Sequence, residues 1–190
     1  MDLEKKNTKI ITSSLDLEEY SPAIPLNKFA LYYVSTFGLY IVYWHYQSCK
    51  MLNEEASLGI YPIPRTIFMK FMAGNLSTHT LDLAKREGYT KTYSSIIIGI
   101  AFLLLTIIER KAPTPYDNLW LLGFLIFIPV VKAQNYYWEE TQPELKMNNK
   151  FSLISIILVF IGLSLVIMSV VSDFLPENKE PEKINITDSE

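Results

Sequence analysis

Few side chains in this chain are of a type and spacing that could do chemistry. Two histidines, His45 and His79, are 34 positions apart, outside any metal-ligand spacing such as HExxH. A single cysteine, Cys49, rules out an intramolecular disulfide and a multi-cysteine metal centre. His45 is of a type that carries protons or binds haem, but haem held between helices wants a second axial ligand, and His79 is not an obvious one. Set between Trp44 and Tyr46, His45 is expected to hydrogen-bond headgroups or water at a membrane interface. No paired acids and no nucleophile–base set stand out, so no catalytic, metal or cofactor residues are assigned and no enzyme is expected. Four basic residues in one polar stretch, Arg65, Lys70, Lys85 and Arg86, have the chemistry to meet anionic lipid headgroups. Each such charge near the surface is worth on the order of 1 kcal/mol. The bland reading of the same four is that they are solvated charges that set topology. Asn185-Ile186-Thr187 fits a glycosylation triplet, which matters only in a secretory pathway.

The elements that would position these residues follow from where charge is missing. Of the 190 residues, 49% are hydrophobic and 19% charged, and the charges collect between apolar runs. The net charge of −3 offers no basic face to nucleic acid. The clearest run, FSLISIILVFIGLSLVIMSVVSDF over 151–174, has Asp173 as its one charge. A helix that long crosses a hydrocarbon core of roughly 30 Å.

Three more runs are read as spans: about 28–49, 92–108 and 118–138. The third has an apolar core too short by itself and contains Pro129, which is expected to kink it. Lys132 would snorkel to the interface. Aromatic residues mark the expected interfaces: Tyr43, Trp44 and Tyr46 on the first span, and Trp120, Tyr136, Tyr137 and Trp138 on the third. Between the first two spans, Pro64 opens a segment in which Ile67, Phe68, Phe71, Met72 and Leu76 recur at helical steps. That predicts an amphipathic helix over about 64–86, lying on the bilayer or across the bundle mouth. Single glycines at 38, 99, 123 and 162 form no GxxxG and are read as helix contact points.

The expected fold is thus all-α: a polytopic membrane bundle of four transmembrane helices and one interfacial helix over 26–174. A polar arm over 1–25 precedes it, and an acidic, disordered tail over 175–190 follows. Four crossings put both termini on one side. The loops 50–91 and 132–150 hold more Lys and Arg than the opposite face, which places them in the cytoplasm and the termini outside. An impermeant maleimide on intact cells would then miss Cys49 and reach it after permeabilisation.

Within 20–75 one pattern is familiar: Thr36, Gly38, Leu39, Tyr40, Tyr43, Trp44 and Tyr46, followed by Ile63, Pro64, Arg65, Ile67 and Phe68. It resembles a family of small, uncharacterised bacterial integral-membrane proteins with a TxGLYxxYWxY span end and a later IPRxIF-like segment. The chain departs from that pattern at His45, where the family more usually has Phe, and at Ser48-Cys49-Lys50, where Asn-Trp-Lys often stands. The resemblance covers about half the chain. It implies a multi-pass protein of a bacterial cytoplasmic membrane and attaches no activity.

The function expected is that of an accessory or structural membrane protein acting through the lipid bilayer, a membrane-protein partner or its own copies. A component of a small-solute transport or permeation system is the alternative. A lipid-headgroup enzyme using Arg65 to hold phosphate ranks last.

Overall fold

The apolar run at 28–49 carries no charge between Lys28 and Lys50, yet it does not form one helix. In the computed structural model, which describes residues 22–56, 59, 61–111, 113, 116–147 and 149–174, it is broken at Thr36–Leu39 into α1 (Leu26–Ser35) and α2 (Tyr40–Ala56). Phe37 and Gly38 both have positive φ, +53° and +79°. That backbone ends a helix, and glycine adopts it at little cost. Thr36 completes the turn: its hydroxyl donates to the Tyr32 carbonyl at 2.7 Å and accepts the Tyr40 N–H at 2.9 Å, capping both helices at once. The two arms fold back on each other. Phe29 meets Trp44 edge-on at 5.4 Å between ring centroids and Tyr40 at 5.9 Å. In one straight helix residues 29 and 44 would lie about 22 Å apart. The expected first span is therefore a helical hairpin.

The stretch expected to be one amphipathic helix over 64–86 is also two: α3 (Pro62–Ile67) and α4 (Met69–Arg86), separated at Phe68. α4 buries Ala73, Leu76, Ser77, Thr80, Leu81, Leu83 and Ala84 against α2, α5 (Ser95–Lys111) and α6 (Gly123–Thr141). It is a bundle helix. The apolar residues Ile67, Phe68 and Phe71 that suggested its inner face are instead exposed, along with Ile63 of α3. α4 and α5 approach closely at Gly74 and Gly99, where a Cβ on Gly99 would lie 3.2 Å from Gly74 backbone atoms.

A 3-10 segment, Tyr116–Leu122, leads into α6, which continues through Pro129. The last helix, α7 (Leu153–Phe174), packs on α1 and buries only Gly162 and Val166 among its described side chains. All regular elements among the described residues are helices. Two stretches are long and apolar enough to cross a membrane, Asn118–Thr141 and Leu153–Asp173. α5, at 17 residues, is shorter. The N-terminal arm as far as residue 21, the acidic tail and the triplet at Asn185 lie outside the described residues.

The core runs through the hairpin into the bundle: Phe29, Trp44 and Leu52 pack with Leu76, Phe102, Phe127, Val130 and Val131. Cys49 belongs to it at 2% exposure, its sulfur 3.6 Å from His45 Nδ1. Burial corrects the labelling expectation above. A maleimide, permeant or not, should leave Cys49 unmodified in the folded protein and modify it after denaturation; rapid labelling of the native protein would contradict this packing.

Candidate functional site

A cavity of about 520 Å³ lies between the open ends of the hairpin arms and the far end of α6. Its position follows from three tethers. Asn135 of α6 takes the Ile24 N–H on its Oδ1 at 3.0 Å and donates from Nδ2 to the Ile24 carbonyl at 2.7 Å, fixing the chain entering α1. The Ser48 hydroxyl donates to Gln134 Oε1 at 3.2 Å, and the Gln134 amide nitrogen lies 3.3 Å from Met51 sulfur, fixing α2. Tyr137 donates to Glu55 at 2.7 Å and holds the end of α2. With the arms joined at Thr36–Leu39 and tied to α6 near their other ends, the space between them stays open on one side.

The walls grade from apolar to charged. Tyr32, Tyr40 and Trp44 line the side nearer the hairpin turn, and Gln47, Lys50 and Glu54 the side nearer the end of α2. Lys28 enters between them. Its ammonium donates to the Lys150 carbonyl at 2.8 Å and lies 5.9 Å from the Tyr32 ring centre and 5.1 Å from that of Phe151, both cation–π distances. Lys50 and Glu54 pair at 3.6 Å along one exposed turn of α2, so much of their charge cancels. Tyr43 lines the cavity and also an adjoining open groove. There Leu39, Val42 and Tyr46 of α2 face Ile63, Thr66 and Ile67 of α3.

The basic residues expected to contact headgroups are not brought together. Arg65 donates to the side chain of Asn75. Lys70 lies close enough to Glu109 of α5 for their charges to interact. Lys85 and Arg86 sit at the opposite end of α4, about 22 Å along the helix from Lys70. The aromatic residues expected in interfacial belts divide in two. Trp44, Tyr137 and Trp138 are 4–6% exposed and turn into the core. Tyr43 is 56% exposed, Tyr46 is half-buried, Trp120 stacks on Phe37 at 5.4 Å, and Tyr136 donates to the Glu87 carbonyl.

His45 is also turned inward at 1% exposure, and its Nε2 has no hydrogen-bond partner among the described residues. It does not reach the interface its neighbours suggested. His79 is half-buried on α4. No group of three or more His, Cys, Asp or Glu among the described residues could hold a metal ion. The sequence reading passed over Lys28, Gln134 and Asn135. Their signal was available: polar amides inside an apolar run, and a lysine at the start of one, are costly in a membrane unless they bind something.

No family model matches this chain, and no curated protein or solved structure matches it.

Proposed function

We propose that this is an integral membrane protein of accessory or structural type, acting through its contacts with lipid. The observation that supports this most directly is the outer surface of α5 and α7. Ile96, Ile97 and Ile100 on α5, and Ile154, Leu158, Phe160 and Met168 on α7, are each more than half exposed. Water does not tolerate so large and continuous an apolar surface, whereas a bilayer needs it. Ile63, Ile67, Phe68 and Phe71 are exposed apolar side chains as well.

The hairpin revises the proposed topology from four crossings to three. α1 has ten residues, a rise of about 15 Å, half the hydrocarbon thickness. Its end at Ser35 packs against Gly162, nine residues into the 22 of α7. Leu26–Ala56 therefore enters the bilayer, turns within it and leaves by the face it entered. Backbone that turns at such a depth must be shielded by protein, and here Thr36 satisfies its own turn while Phe37 stacks on Trp120. The full crossings are α5, the Asn118–Thr141 stretch and α7, so the start of α1 and the end of α7 fall on opposite sides. Of the crossings, α5 is at the short end of the usual range. Lys50, Lys85, Arg86, Lys91, Lys146 and Lys150 then share one face, and the positive-inside rule assigns that face to the cytoplasm. The bacterial cytoplasmic membrane, suggested by the resemblance of the first half, belongs to the same reading.

Alkaline carbonate treatment of membranes from expressing cells tests integration. The protein should stay with the pellet and leave only with detergent. Release by carbonate would end the membrane reading.

A further inference from the structure

We infer that the cavity between the hairpin arms, together with the groove beside it, binds one anionic phospholipid, phosphate in the cavity and an acyl chain in the groove. This rests on the membrane reading above and names the lipid contact. Depth is the first argument. Lys28 is bonded to the carbonyl of Lys150, and the apolar surface of α7 begins three residues later at Leu153. The cavity therefore straddles the level where hydrocarbon gives way to water, which is where lipid phosphates lie.

Charge is the second argument. Among the described residues that line the cavity, Lys28 and Lys50 bring ammonium groups and Glu54 a carboxylate. The Lys50–Glu54 pair lies on an exposed helical turn and contributes little held so, which leaves Lys50 able to exchange that partner for a phosphate. A zwitterionic headgroup would bring its own cation up to both lysines and gain less.

Shape is the third. The cavity is too small for a whole lipid but fits a headgroup and the glycerol region. The groove of Leu39, Val42, Ile63 and Ile67 continues from it past Tyr43 toward the hairpin turn, deeper in the bilayer. An acyl chain running down from the headgroup would cover that apolar strip, while the headgroup keeps the cavity filled.

The test is native mass spectrometry of the full chain released from nanodiscs of equal phosphatidylglycerol and phosphatidylcholine. One phosphatidylglycerol should be retained preferentially. Lys50→Gln, at an exposed position that leaves the core intact, should weaken its retention about fivefold, as should Lys28→Gln if that variant folds. Lys132→Gln, an exposed lysine outside the cavity, should change nothing. Glycerophosphoglycerol at millimolar concentration should fail to displace the lipid, because it has no chain for the groove. Equal retention of both lipids, or indifference to Lys50→Gln, would overturn the proposal. So would displacement by the chainless phosphate, which would mark a soluble anion as the ligand, or a co-purifying protein in place of the lipid. A carbonate-resistant protein with none of the expected lipid preference would refute this inference and leave the membrane reading standing.

Discussion

Gly162→Leu should separate the hairpin from the last helix and leave little folded protein. Even a single Cβ at position 162 would overlap the Ser35 carbonyl oxygen and crowd the Ser35 carbonyl carbon and Cα. The colliding atoms are backbone at the end of α1, so no rotamer change relieves them. The Ser35 side chain is itself buried, and the turn that follows is pinned by Thr36. Overpacking a well-packed site costs about 1–3 kcal/mol when side chains can adjust. Here a helix must move, so Gly162→Ala should fall at the upper end of that range and Gly162→Leu beyond it. Ser164→Ala is the control, because Ser164 is exposed and bonds only back to the Phe160 carbonyl. Thermal unfolding in detergent, followed by size-exclusion recovery, measures both. A Gly162→Leu protein as stable as the wild type would mean that α7 does not pack on α1 as described.

Phe29→Ala should cost a similar amount by the opposite mechanism, a void. Phe29 is fully buried, and its ring lies edge-on to both Tyr40 and Trp44, which makes it the main side-chain link between the hairpin arms. Truncating a buried phenylalanine costs roughly 3–5 kcal/mol, since the lost contacts and the residual cavity add. Because Trp44 also meets Phe127 of α6 at 5.7 Å, loosening the arms should propagate into the bundle. A helix running straight through 28–49 would place Phe29 far from Trp44. Phe29→Ala and Trp44→Ala would then add independently; in a hairpin the double variant should cost clearly less than the sum.

The helical class and the long apolar last helix were legible in the sequence because both rest on sums over many residues: apolar length at 151–174 and charge placed between runs. The hairpin turns on four residues and was not. Between Lys28 and Lys50 every position is uncharged, so a hydropathy sum over the run sees only a span. The signal against it was local, a threonine two residues before a glycine. Thr36 caps the second helix, and Gly38 takes the left-handed turn between the two besides lying close to the Tyr33 ring. The other glycines in that reading do lie at close approaches, Gly99 to Gly74, Gly123 to Tyr33 and Gly162 to Ser35.

The site was less legible than the fold. Aromatic belts and core aromatics are the same residue types, and only packing separates Tyr43, which is exposed, from Trp44 beside it, which is buried. The α4 pattern misled for a related reason. In a bilayer the apolar face of a helix can point outward, and Phe71 does so while Ser77 and Thr80 turn in. The cavity joins Lys28 to Trp138 across 110 positions of sequence, and no local pattern announces a contact of that separation.

The central claim is that residues 26–56 dip into the bilayer and return. Because Cys49 is buried, single cysteines can be read against the native background. We would place one at Ser13, ahead of α1, and one at Gly59, just past α2, and label each from either side of the membrane with an impermeant maleimide. The hairpin predicts that both react from the same face, with a cysteine at Ser189 reacting from the other. Labelling of Ser13 and Gly59 positions from opposite faces would show a full crossing at 28–49 and contradict the account.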